Sequence, residues 1–178
     1  MRSQPKFSLT ILNLLGGLLV LGSYAWGFLV HPNAGEILWG GVPAILRPVY
    51  TISMFLAAGG YFAFSLFVLQ LELDKVRINN WRGTKIFNIL YAGVLIPSAL
   101  WLPLTMLAVN YRSQSLTWLV RADLLLVALA ALGLLYAILY VRPHKTVWLH
   151  RLAIIGSILF CFQTVFLDAI IWAVNFHL

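Results

Sequence analysis

The residues best equipped for chemistry lie in the last apolar stretch, Leu152 to Phe176, where an acid, Asp168, sits among apolar neighbours. Helical spacing puts Thr164, Asp168, Trp172 and Asn175 along one stripe, at steps of four, four and three. A carboxylate in hydrocarbon costs about 3 kcal/mol on the lenient insertion scale, so Asp168 is expected to face other helices or a cavity. The stripe then either lines a ligand cavity, or Asp168 only hydrogen-bonds a neighbouring helix to fix packing. A second acid, Asp123, lies two residues after Arg121 near the start of the fourth apolar stretch. Those two charges either pair, or Arg121 snorkels to the surface. Both acids fall toward the same end of the bundle. If they meet, a shared proton would suit proton-coupled transport, or a cation or amine ligand.

The third apolar stretch holds Pro97 and Pro103, each of which removes a backbone hydrogen bond and bends a helix. Ser98 and Trp101, three apart, share a face there. A bent helix with an inward hydroxyl and an indole makes one wall of a cavity; for Trp101 and Trp172 the competing explanation is core packing. Other reactive groups are scarce. His31, His144, His150 and His177 all fall at segment ends, away from the depth that haem ligation needs, and His144 and His150 are expected to be solvated. No His, Cys and acid cluster has zinc spacing, so no metal site is expected, and there is no glycine-rich phosphate loop. The chain is read as a non-enzyme without a resident cofactor. Proton transfer on a lipid or sterol by Asp168 and Asp123 is the weaker catalytic alternative.

The elements that must hold these residues follow from composition. Of 178 residues, 62% are hydrophobic and 10% charged, whereas a soluble domain carries about 25% charged residues. This points to one all-α domain over residues 1–178, an integral membrane bundle of five transmembrane helices. The spans are read as Phe7–Val30, Pro48–Leu71, Ile86–Tyr111, Leu116–Val141 and Val147–Phe176, each near the roughly 20 residues a crossing needs. The first is too long for a signal-peptide core and is read as a retained helix. The lone Cys161 has no disulfide partner within the chain. The net charge of +7 comes from basic residues at segment ends, so it reports orientation rather than nucleic-acid binding. Arg2, Lys6, Lys75, Arg77, Arg82, Lys85, Arg142, Lys145 and Arg151 fall on one side, against Arg47, Arg112 and Arg121 on the other. That bias puts the N-terminus in the cytoplasm and the C-terminus opposite. Trp26, Trp39, Trp81, Trp118 and Trp148 near segment ends fit an interfacial belt. Gly16, Gly17, Gly59 and Gly60 are read as helix-packing sites. The loop from His31 to Arg47 either lies on the membrane or folds over the bundle mouth.

Three local patterns resemble the TspO/MBR family, the tryptophan-rich sensory proteins related to the mitochondrial translocator protein. Ser98-Ala99-Leu100-Trp101 has the spacing of the family's Asn-x-x-Trp pattern, with Ser for Asn. The run Leu167-Asp168-Ala169-Ile170-Ile171-Trp172-Ala173-Val174-Asn175 is similar to Leu-Asn-x-x-Ile-x-x-x-Asn, with Asp for the first Asn. Pro48-Val49-Tyr50-Thr51 and Gly60-Tyr61 are similar to elements of the second helix. The first loop lacks the family's Trp- and Pro-rich stretch, and no aromatic pair follows Trp101. The resemblance implies a five-helix bundle, commonly a homodimer, whose pocket opens toward the first loop. It also implies flat apolar ligands such as porphyrins, haem or sterols. Tyr50, Ser98, Trp101, Thr164 and Asp168 are the pocket positions it carries over.

The expected function is therefore binding, with transport or sensing, of a flat hydrophobic ligand such as a tetrapyrrole or sterol between helices. Tyr50, Ser98, Trp101, Thr164, Asp168 and Trp172 are the ligand-binding candidates, and the bilayer and the ligand are the expected partners. The alternative is a structural or assembly subunit of a larger membrane complex, which suits a chain with so little mass outside the membrane.

Overall fold

A computed structural model describes residues 4–78, 81–142 and 147–177. The fold is an all-α bundle with five helices long and apolar enough to cross a membrane, over Lys6–Val30, Ala44–Gln70, Gly83–Tyr111, Gln114–Tyr140 and Val147–Asn175. These agree with the spans read from hydropathy to within a few residues at each end. The third helix starts earlier than expected because Gly83 to Lys85 extend it beyond the apolar run, with Lys85 Nζ above the Trp81 ring.

In chain order the elements are α1 (Gln4–Val30), a short α2 (Ala34–Trp39), α3 (Arg47–Gln70), a two-residue ribbon of β1 (Arg77–Ile78) and β2 (Trp81–Arg82), α4 (Gly83–Tyr111), α5 (Gln114–Tyr140) and α6 (Val147–Cys161). The last span then changes form. Phe162–Trp172 is π-helical, and Ala173–Asn175 closes it with one α turn. The ribbon pairs antiparallel, and Arg77 also bridges to Arg142, tying two loops together at one end of the bundle.

Helix α4 packs between α1 and α5, α3 lies along α6, and α5 leans across both α6 and the π-helical stretch. Without a hydrophobic drive between helices in lipid, close approach depends on small residues. Gly60 of α3 meets Gly156 of α6, where a Cβ on Gly60 would lie 2.3 Å from the Gly156 carbonyl oxygen. Gly16 sits against the Leu95 side chain, while Gly17 and Gly59 face open space. Two of the four expected packing glycines therefore pack.

At the ribbon end a dense core gathers Phe64, Phe67, Phe87, Tyr91, Leu134 and Ile138, all at most 2% exposed. Its hydroxyls are satisfied internally: Tyr91 donates to Ser65 Oγ at 2.9 Å and Tyr61 to Asn13 Oδ1 at 2.5 Å. His150, expected to be solvated, belongs to this core. Its ring packs 5.0 Å from Phe67, and Nε2 lies 2.8 Å from the Ile138 carbonyl. The first turn of α6 rotates it inward, satisfying a carbonyl near the end of α5. His144 lies outside the described residues.

Gly60→Val should force the α3–α6 backbones apart and lower stability by about 1–3 kcal/mol, read as a lower thermal midpoint in detergent. Gly59→Val, pointing into open space, should leave the midpoint unchanged.

Candidate functional site

The end of the bundle opposite the ribbon is built around the last span. In an α-helix, residues five apart point roughly 140° away from each other. The π-helical stretch hydrogen-bonds with a five-residue step, as in the Ala173 amide donating to the Asp168 carbonyl, and it brings such pairs onto one face. Gln163 and Asp168 are five apart. Gln163 Nε2 accordingly donates to Asp168 Oδ1 at 2.8 Å. A carboxylate at this depth needs donors from within the protein, and the wide turn supplies one from its own helix.

Aromatic residues from four other elements close around this pair. Tyr24 of α1 and Tyr50 of α3 contribute rings from two of them. Tyr50 donates to the Leu167 carbonyl at 2.6 Å. Trp101 of α4 lies 6.0 Å from the Tyr24 ring and 5.4 Å from the Trp172 ring. Its Nε1 is buried with no hydrogen-bond partner among the described residues, and so is Gln163 Oε1. Trp172 Nε1 donates to the Leu38 carbonyl at 2.7 Å, and Trp39 sits edge-on to Tyr50 at 6.1 Å.

Asp168, Tyr24, Ser98 and Trp101 are all half-buried, each keeping part of its surface accessible.

The first loop covers this end. Helix α2 lies over the bundle mouth through the Trp172–Leu38 bond. Gly40, at φ 53°, adopts a backbone conformation that favours glycine, and Gly41 lies against the Asn175 carbonyl, where a Cβ would come within 2.2 Å. Arg47 anchors the loop's far end, 3.4 Å from Glu36 and above the Trp39 ring at 5.4 Å.

Of the six residues expected to bind a ligand, Tyr50, Trp101, Asp168 and Trp172 come together. Ser98 lies one turn before Trp101 on α4. Thr164 is buried, and its hydroxyl donates to the Phe160 carbonyl of its own helix at 2.9 Å. Asn175, the end of the expected stripe, likewise bonds its own helix through Ile171. Gln163 and Tyr24 were not anticipated, whereas of the two alternatives for the first loop it is the fold over the bundle mouth that forms, through Leu38 and Trp39. Gln163 falls off the stripe at α spacing, and only the π turn brings it in.

Of the two alternatives for Arg121, the pair with Asp123 does not form among the described residues. Arg121 turns to the end of the last span, donating to the carbonyls of Ala173 at 3.1 Å and Phe176 at 3.2 Å, with its guanidinium over Trp118. Those carbonyls end a helix and lack partners of their own, so they draw the cation away. Asp123 is 6% exposed, and its Oδ2 has no partner among the described residues. Among the described residues no three His, Cys, Asp or Glu side chains gather as a metal site would need.

No protein-family model, curated protein or solved structure matches this chain.

Trp172→Phe keeps the ring and removes the donor to Leu38. It should cost about 1 kcal/mol and should raise amide hydrogen exchange across residues 34–42 while leaving α4 protected. Unchanged exchange there would show that the cover is held by other contacts.

Proposed function

We propose that this protein is a non-enzymatic membrane protein that binds a flat, largely apolar ligand between its helices, beside Asp168 and beneath the α2 cover. The observation that carries this reading is a half-buried acid held by Gln163 on the span that also carries Trp172 against Trp101 and the Leu167 carbonyl against Tyr50. Aromatic walls from Tyr24, Trp101 and Trp172 suit a flat apolar body, and few convergent polar groups suit orientation of one polar end. Asp168 has one oxygen held by Gln163 and is a natural acceptor for a ligand hydroxyl or ammonium. A sterol, with one hydroxyl and a rigid apolar frame, fits this chemistry better than a porphyrin, whose propionates Asp168 would repel. The resemblance to the TspO/MBR family supports the same class of ligand. We also propose that the N-terminus faces the cytoplasm, on the strength of the basic residues clustered at the ribbon end.

A fluorescent sterol, dehydroergosterol, titrated into the purified protein should show saturable energy transfer from tryptophan. Asp168→Leu should weaken the apparent affinity about tenfold, the loss expected when a hydrogen bond to a charged group disappears, and Trp101→Ala should reduce the transfer itself. Protoporphyrin should bind more weakly than the sterol. Transfer that never saturates, and is the same in Asp168→Leu, would refute the reading.

A further inference from the structure

A cleft lies where α4 turns into α5 beside the end of the last span. It has a volume of about 480 Å³ and is lined by Arg112, Gln114, Thr117, Arg121, Phe176 and His177. We propose that it binds a phosphate group, supplied by the headgroup of an anionic lipid or by free phosphate. This does not depend on the ligand proposed for the Asp168 site.

Charge is the first argument. The cleft carries two guanidinium groups and no acid. The nearest acid in sequence, Asp123, is buried and makes no ion pair with either arginine; the ion pairs among the described residues are Arg47–Glu36 and Lys75–Glu72. Arg121 uses Nε and Nη2 on two carbonyls and keeps Nη1 free of any protein bond among the described residues. Arg112 is exposed, and its guanidinium has no protein partner among the described residues. Two cations thus face one concavity without a counter-ion among the described residues. Arginine's fork of donors matches phosphate oxygens.

The backbone at Arg112 is the second argument. It ends α4 in the left-handed region, at φ 46° and ψ 43°. Glycine is the usual residue there, and an L side chain costs roughly 1–2 kcal/mol. Part of that cost is offset by a cation near a helix C-terminus. The rest is accepted to hold a guanidinium at the mouth of the cleft.

Depth is the third argument. Trp118, under the Arg121 guanidinium and 60% exposed, and Tyr111, next to Arg112 in sequence and 74% exposed, are large exposed rings on residues adjoining the two arginines. Aromatic side chains in that position sit at headgroup level. Phosphates of the surrounding lipid lie at the same level, so the lipid is the nearest source. Phe176 supplies an apolar wall for the glycerol region.

The test uses the full chain in mild detergent and two variants, Arg112→Gly and Arg112→Gln. Arg112→Gly removes the charge and relieves the backbone; Arg112→Gln removes the charge and keeps a side chain. Native mass spectrometry after adding phosphatidylglycerol or phosphatidylcholine of the same acyl chains should show the wild type retaining phosphatidylglycerol preferentially. Both variants should lose that retention at least about tenfold, with the thermal midpoint of Arg112→Gly equal to or above wild type. A second arm adds inorganic phosphate alone. A saturable rise in the wild-type midpoint, absent in both variants and without any lipid preference, would support the phosphate site and assign it to free phosphate. Equal retention of both lipids by all three proteins, with no response to phosphate, would overturn the proposal. So would lost retention only in a variant whose midpoint had collapsed.

Discussion

A carboxylate inside a membrane bundle must find its donors in the protein, and at Asp168 that need is met from within one helix. The bond from Gln163 depends on a turn five residues wide, so the local winding of the last span and the solvation of its acid are one feature. The wide turn also sets the directions of Leu167 and Trp172. Through the Leu167 carbonyl it engages Tyr50 of α3, and through the Trp172 indole it engages Leu38 of the cover. One departure from α geometry thus links the helical interior to the loop above it. Long π-helical stretches are uncommon, and the weaker backbone geometry is offset here by side-chain bonds that link the last span to α2, α3 and α5.

The two ends of the bundle solve the polar problem differently. Near the ribbon, Asn13, Tyr61, Ser65 and Tyr91 bond one another in neutral pairs inside tightly packed aromatic rings. Such pairs fix helix positions and leave no capacity for a guest. Near the cover, Trp101 Nε1 and Gln163 Oε1 are buried without partners among the described residues, and Asp168 is half-buried. The Gly60–Gly156 contact lies between them and holds α3 against the last span.

Hydropathy alone made the five spans legible, because a crossing helix has to be apolar over its whole length and little else in this chain is. Asp168, Trp101 and Trp172 could be singled out because acids and indoles at mid-span are costly or bulky enough to need an explanation. Gln163 could not, since a period near 3.6 puts it on a different face from Asp168, and no residue in Phe162–Trp172 announces a wider turn. For Arg121 and Asp123 the sequence left pairing and snorkelling both open. Two residues apart on a helix, they point to different faces, and the open carbonyls at Ala173 and Phe176 compete for the arginine. His150 misled because a histidine in a basic loop was weighed by its neighbours in sequence rather than by the helix turn that carries it inward.

The bond between the Gln163 amide and the Asp168 carboxylate is the feature on which the site rests, and its geometry is directly measurable. Solid-state NMR on the protein in bilayers, with ¹⁵N at the Gln163 side chain and ¹³C at the Asp168 carboxyl, should give a strong dipolar coupling, as expected for an N–O separation of 2.8 Å. A vanishing coupling would mean that the last span winds as an ordinary α-helix with the two side chains on different faces, and the site as described would not exist.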